Sequence, residues 1–259
     1  MRIVITGGCG FLGRRLALLL LDQGSTLGAI DEMVLFDNAP SALPLPDDKR
    51  VRLVTGDIAD RDTVRALIAP QGAKSGTDAV FHLAAIVSGQ AESDPDLGYR
   101  VNLDGTRAVL DACRALGPSK SGDRPRLIFA SSLAVYGGAL PPAVGDDTAL
   151  TPQSSYGAQK AIGELLVNDY SRKGFIDGRA LRLPTVVVRP GLPNRAASTF
   201  ASSMIREPLS GQDAVCPVSP DTVMALASPR RVVASLAHAL DIPSDALGQN
   251  RTLDRKSVV

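Results

Sequence analysis

The sequence predicts an α/β protein built on a doubly wound parallel sheet. Three observations carry this expectation. Short apolar runs alternate with helical stretches along the first 190 or so residues. The runs are mostly apolar, as strands covered by helices on both faces are. A glycine-rich turn joins the first run to the first helix.

"RIVIT" (2–6) is the first strand. In "FLGRRLALLLLDQG" the residues Leu12, Leu16, Leu19 and Leu20 recur at helical spacing, and Gly24 ends the helix. "MVLFD" (33–37) is the second strand and "VRLVTGDI" (51–58) the third, with the helix "RDTVRALIA" after it. "AVFHLAA" (79–85) is the fourth, followed by a long helix from about 97 to 116. "RLIFASS" (126–132) is the fifth. A helix containing Tyr156 leads to the sixth, "RALRLPTVVV" (179–188). The Pro-rich stretches 40–46 and 141–153 read as surface loops. Right-handed crossovers make the doubly wound order the expected topology, with ligands at the carboxyl ends of the strands.

After residue 190 the chain is rich in Pro, Ser and Ala, with weaker periodicity. We therefore expect a dinucleotide-binding domain over 1–189 and a partial substrate lobe over 190–253. The lobe includes a returning helix over 228–240, capped by Ser228 with Pro229 in its first turn. The tail "DRKSVV" (254–259) has neither periodicity nor capping logic. It reads as a translated sequencing adapter, so the natural chain is expected to continue past about residue 253.

Composition narrows the function. The net charge is +1, aromatic content is 4% and there is no Trp, which argues against nucleic acid and against an acidic membrane surface. No apolar run is long enough to span a bilayer. Cys9, Cys113 and Cys216 are widely spaced, without a CxxC pair. They predict neither disulfides nor a metal site, and they fit the cytoplasm.

The chemistry is concentrated at strand ends. "TGGCGFLG" (6–13) places Gly7, Gly10 and Gly13 in a GxxGxxG pattern between strand and helix. Such a turn lets a pyrophosphate approach the backbone and the free amides of the helix start, at Phe11 and Leu12. No Lys-Ser/Thr pair follows, which excludes a Walker A loop. Asp37 ends the second strand, 24 residues after Gly13, where a carboxylate would hold the adenosine ribose. That charge would repel the extra phosphate of NADP, so the expected cofactor is NAD. Asp57 and Ile58 follow the third strand and could hold the adenine; Asp57 could equally cap the next helix.

Ser131 and Ser132 close the fifth strand, and "YGAQK" puts Tyr156 and Lys160 one helical turn apart. Such a pair sits about 5–6 Å apart at the Cβ atoms. A phenol titrates near pH 10 and is a poor base at neutrality. A neighbouring ammonium lowers that value, and a serine hydroxyl beside it would orient an alcohol or carbonyl.

The motifs "TGGCGFLG", "GDI", "HLAA", "VNLDGT", "SSLAVYG" and "YGAQK" occur in that order over residues 1 to about 190. On them the chain resembles the extended short-chain dehydrogenase/reductases, the NAD-dependent epimerase/dehydratase superfamily, with its Rossmann-like fold. The resemblance implies Ser132, Tyr156 and Lys160 as the catalytic set, with Tyr156 as base. Lys160 would also hold the ribose, and Asn102 would support the lysine. It implies that Leu83, Ala84 and Ala85 line the cofactor and that Pro184 and Thr185 meet the nicotinamide carboxamide. It also implies a homodimer formed through the 97–116 helix and the Tyr156 helix.

Departures from the wider family are informative. The "NVYGP" of sugar-nucleotide epimerases is replaced by "PTVVVRPG", and Leu133-Ala134 stand where the 4,6-dehydratases carry Asp-Glu. "HLAAIVSGQAE" and "FASSMIREPL" resemble the branch of D-erythronate dehydrogenases, which implies oxidation of a sugar acid at its C2 hydroxyl to the 2-oxo acid (2-dehydro-D-erythronate). Uronate dehydrogenation and sugar-nucleotide epimerisation are the alternative enzyme readings. A dinucleotide-sensing regulator is disfavoured by the retained Tyr-Lys pair. A substrate carboxylate needs a cation or several donors. The sequence offers Ser88, Gln90, Ser132, Arg189, Arg195, Ser198 and Arg206, without ranking the arginines.

Overall fold

A computed structural model describes residues 1–41, 44–70, 76–119, 122–145, 147–191 and 196–253. The elements run β1 (Arg2–Thr6), α1 (Phe11–Gln23), β2 (Glu32–Asp37), β3 (Val51–Thr55), α2 (Arg61–Ile68) and β4 (Ala79–His82). There follow α3 (Ser88–Ser93), α4 (Pro95–Gly98), a π-helical turn (Tyr99–Asp104) and α5 (Gly105–Leu116). Then come β5 (Arg126–Ser132), α6 (Ser155–Arg172), β6 (Asp177–Leu183), β7 (Thr185–Val186), α7 (Phe200–Leu209), β8 (Leu226–Ala227), α8 (Pro229–Asp241) and β9 (Thr252–Leu253).

Seven strands form one parallel sheet in the order β3-β2-β1-β4-β5-β6-β9. The order reverses between β1 and β4. Such a reversal opens a crevice at the carboxyl ends of the strands. Successive side chains of each strand serve opposite faces. Ile3, Ile5, Met33 and Leu35 pack with Leu16, Leu20, Val232 and Leu236 under α1 and α8. Val4, Val34, Val80 and Phe129 pack with Leu67, Val109, Leu110 and Val167 under α2, α5 and α6. Burying each of these large side chains stabilises the fold by roughly 1.5–3 kcal/mol.

Local chemistry sets the ends of the helices. Gly24 stops α1 with a φ of 71°. Ser228 caps α8, its hydroxyl accepting the Arg231 amide at 3.2 Å, with Pro229 first in the helix. Ser154 caps α6 in the same way, accepting from the Gly157 amide at 3.1 Å.

Several expectations need correction. The third strand ends at Thr55, so the helix after it starts at Arg61 and its cap is Asp60, not Asp57; Asp60 accepts the Asp62 and Thr63 amides. The fourth strand ends at His82. The sixth stops at Leu183, and beyond Pro184 the chain leaves the sheet to pair β7 with β8 as a separate two-stranded ribbon. A Pro lacks the N–H that a continued ladder needs. Residues 228–253 return to the sheet: α8 packs on α1, and β9 adds an edge beside β6. Among the described residues no helix is long and apolar enough to cross a membrane. Arg195 and the 254–259 tail lie outside the described residues.

Candidate active site

The carboxyl ends of β1, β4, β5 and β6 open onto a cleft of about 380 Å³. At one end lie Gly7, Gly10, Phe11, Leu12 and Gly13. The turn is built for close approach. A Cβ at Gly7 would stand 2.8 Å from the Ala84 nitrogen, and one at Gly13 would stand 2.3 Å from the Gly7 oxygen. The Gly10 amide donates to the Gly7 carbonyl at 3.1 Å, which closes the turn. No side chain caps α1, so its first-turn amides are left for an anion. This cradle fits the pyrophosphate of a dinucleotide.

Asp37 ends β2 beside the turn. One carboxylate oxygen accepts the Cys9 amide at 3.0 Å and the other the Asn38 amide at 2.9 Å. It thus braces the glycine turn as well as offering charge beside it. Asp57 pairs with Arg100 and accepts the Ala59 amide at 2.9 Å. The amide and the guanidinium hold its carboxyl below the usual range. Ile58 is buried and packs with Val64 and Leu67 under the sheet, which leaves its backbone for any ligand. Neither Asp37, Asp57 nor Ile58 lines the cleft itself.

The floor is tied together by a fully buried histidine. His82 Nδ1 lies 2.7 Å from Thr6 Oγ1 and Nε2 lies 3.0 Å from Thr106 Oγ1. Thr106 donates to the Asn102 carbonyl at 2.6 Å, so its oxygen is the acceptor for His82. The Leu83 amide donates to the Thr6 carbonyl at 3.1 Å. Leu83, Ala85, Ile86 and Val87 form the adjoining wall. Ala84 turns away from it and packs against the core.

At the other end Ser132, Tyr156 and Lys160 come together. The Ser132 hydroxyl hydrogen-bonds the Tyr156 phenol and accepts the Ala134 amide at 3.1 Å. Burial pushes the Tyr156 phenol up; the Ser132 hydroxyl and the Arg189 guanidinium pull it down. The Arg189 guanidinium thus acts on the phenol in addition to Lys160, the cation to which the sequence pointed. The Lys160 ammonium is 2% exposed and lies 5.7 Å from the Tyr156 ring centre, donating to the Ala130 carbonyl at 2.8 Å. Burial lowers its pKa to about 8, against the pull of Glu164.

Asn102 sits in the π turn and makes no direct bond to Lys160. Its side-chain oxygen accepts the Ile86 amide at 2.9 Å, and its nitrogen donates to Gln159 Oε1 at 2.8 Å. It fastens the β4 wall to α6. Behind the site, Ser131 donates to Glu164 at 2.5 Å, and Glu164 meets Arg182 at 2.8 Å. Arg182 in turn bonds the Tyr136 hydroxyl. Sequence reasoning missed this buried network. Its signal was an acid one turn beyond Lys160 on the face that carries Tyr156.

Of the substrate candidates, Ser132, Arg189 and Arg206 line the cleft; Ser88, Gln90 and Ser198 do not. Thr199 and Ser202 stand on the wall instead of Ser198. Pro184 lines the cleft. Thr185 is engaged in the ribbon, its amide donating to the Ala225 carbonyl at 3.1 Å. Among the described residues no cluster of three or more His, Cys, Asp or Glu could hold a metal ion.

A family profile described as "NAD dependent epimerase/dehydratase family" matches residues 3–231. A D-erythronate dehydrogenase of Cupriavidus necator is 57% identical over 98% of this chain and 76% of its own length. Another, of Haemophilus influenzae, is 51% identical over the same shares. The solved structure of a nucleoside-diphosphate-sugar epimerase from Agrobacterium tumefaciens is 43% identical, with a TM-score of 0.88 over 98% of this chain and 73% of that one. A profile match spanning both the glycine turn and the Ser132–Tyr156 cleft, on a sheet wound for a dinucleotide, makes this chain an enzyme of the NAD-dependent epimerase/dehydratase family, with NAD as its cofactor.

Proposed function

We propose that the chain oxidises D-erythronate at its C2 hydroxyl, giving 2-dehydro-D-erythronate. One observation carries the reading: a cleft that holds the Ser132–Tyr156 pair also presents the Arg189 guanidinium, which has no acidic partner among the described residues. A proton acceptor facing a cation is the pair that a 2-hydroxy acid requires, one for its alcohol and one for its carboxylate. The names of the two dehydrogenase relatives support the substrate.

Bound NAD supplies the hydride acceptor. Gly7, Gly10, Gly13 and the first turn of α1 would hold its pyrophosphate, and Asp37 its adenosine ribose. Leu83, Ala85 and Pro184 would wall the nicotinamide half, and Lys160 would meet its ribose hydroxyls. Ser132 donates to the substrate oxygen and fixes it against Tyr156. Tyr156 as phenolate takes the hydroxyl proton as the C2 carbon becomes a carbonyl. Arg189 binds the carboxylate and favours the phenolate at the same time.

In this reading residues 1–189 are the cofactor half, and the segment from 190 adds the substrate wall through α7. Cys9, Cys113 and Cys216 are unpaired, which suits a cytoplasmic enzyme. A homodimer through α5 and α6 would cover Leu165, 64% exposed on α6.

NADH formation from NAD and D-erythronate tests the reaction. Tyr156→Phe is expected to lower turnover by about 10²–10⁴-fold, the usual worth of a general base, while still binding NAD. Turnover of a hexuronate but not of D-erythronate, or interconversion of a sugar nucleotide without net NADH, would replace this reading.

A further inference from the structure

We propose that Ser202 and Arg206 are positioning residues that hold the backbone of Arg189 so that its guanidinium faces the reacting end of the cleft. The inference rests on the reading of Arg189 as the carboxylate ligand. Ser202 and Arg206 are four residues apart on α7 and so share one face. Ser202 is 2% exposed, and its hydroxyl accepts the Arg189 amide at 3.0 Å. Arg206 Nη1 donates to the Arg189 carbonyl at 2.7 Å. Both peptide groups of Arg189 are thus fixed from one helix.

Among the described residues the last regular bond before Arg189 is that of the Val187 amide, which donates to the Ala227 carbonyl at 3.0 Å. Arg189 lies past the two-residue strand β7, and no helix or strand contains it. Without the clamp its backbone would be free to turn, and the aim of a long side chain follows its backbone.

The same bonds separate the two arginines that the sequence left equivalent. Arg206 is occupied: besides the Arg189 carbonyl, its Nη2 meets Glu207 at 2.5 Å and Ser203 at 3.2 Å. Glu207 offsets its charge. Arg189 keeps an uncompensated charge among the described residues, and that charge reaches Tyr156. Arg206 serves the substrate through Arg189, not by touching it.

The test is a double-mutant cycle with Arg206→Met and Arg189→Met, read as KM for D-erythronate, KM for NAD and the pH profile. Arg206→Met alone is expected to raise KM for D-erythronate about tenfold, and to add little when Arg189 is already Met, as for residues acting through one contact. KM for NAD stays within about twofold, and the rising limb of activity moves to higher pH. Arg206→Lys, which can still donate to the Arg189 carbonyl, restores part of the loss. Equal losses in both backgrounds, or a matching rise in KM for NAD, would overturn the proposal.

Should Arg206→Met unfold α7, Ser202→Ala carries the same test with a smaller change. A second readout needs no substrate. The ultraviolet titration of Tyr156, taken as the difference from Tyr156→Phe, moves up in pH in Ser202→Ala if the clamp aims Arg189. An unchanged titration refutes the clamp, even if D-erythronate proves not to be the substrate.

Discussion

Ser131 and Ser132 are neighbours on β5, and their hydroxyls serve opposite sides of it: Ser131 donates at 2.5 Å to the buried Glu164, while Ser132 bonds the Tyr156 phenol in the cleft. The alternation of a strand imposes this division. Ser132→Ala is expected to lower turnover by about 10²-fold with little change in stability. Ser131→Ala is expected to lower stability by about 2 kcal/mol, the worth of a hydrogen bond to a charged group, and to leave turnover nearly intact. Urea unfolding and steady-state kinetics on both variants check the pair; the reverse pattern would reassign the two hydroxyls.

The family resemblance pointed to Ser132 as the cleft serine, and the Ser131–Glu164 bond went unread; what the sequence makes legible is local. Strand periodicity, the glycine turn and the one-turn spacing of Tyr156 and Lys160 are written in neighbouring residues. What stayed hidden depends on what the chain brings near from afar. Arg189 and Arg206 look alike until the fold pairs Arg206 with Glu207 and, among the described residues, gives Arg189 no acidic partner. Asp57 and Asp60 compete for one cap, and the choice turns on where β3 ends. The π turn around Asn102 widens one stretch of a longer helical run without a compositional trace. β9 has two residues, too few for any period to register.

Asp37 has two tasks that one substitution should separate. Its carboxylate accepts the Cys9 amide and so stiffens the glycine turn, and in the proposed function its charge faces the adenosine ribose. In Asp37→Ala the preference for NAD over NADP, taken as a ratio of kcat/KM values, is expected to fall at least about tenfold, because facing like charges cost several kcal/mol. Losing the turn's hydrogen bond should also lower stability by about 1 kcal/mol. A lowered stability with an unchanged cofactor ratio would leave Asp37 the structural task alone.

His82 should give the fold an acid sensitivity. Burial first, and then the Lys160 charge, lower its pKa from 6.5 to about 3. Between those values the unfolded chain binds a proton that the native state refuses, so stability rises with pH. The contribution is fully present above about 6.5 and is lost as pH falls toward 3, at up to about 1.4 kcal/mol per pH unit. Protonation would also set an Nδ1 proton against the hydroxyl of Thr6, which now donates to it. Urea midpoints measured from about pH 4 to about pH 7 should rise in the parent chain and rise less steeply in His82→Gln. Parallel slopes would place the proton uptake elsewhere.

Lys160 should set the alkaline side of the activity profile. Its ammonium is buried and donates to the Ala130 carbonyl; burial lowers its pKa to about 8, with Glu164 opposing the shift. Raising the pH through that value removes the cation beside Tyr156. Over the same range rising pH favours the Tyr156 phenolate, the proton acceptor of the proposed function. The two demands oppose each other, so kcat/KM should trace a bell whose limbs belong to the coupled pair, with loss of the lysine charge on the falling side. A guanidinium stays charged throughout this range but is broader than an ammonium and fits the Ala130 contact less well. Lys160→Arg is therefore expected to be slower by about 10²-fold and to keep rising where the parent enzyme declines. A falling limb that persists in Lys160→Arg would show that another group titrates there and that the lysine charge is not what alkaline pH removes.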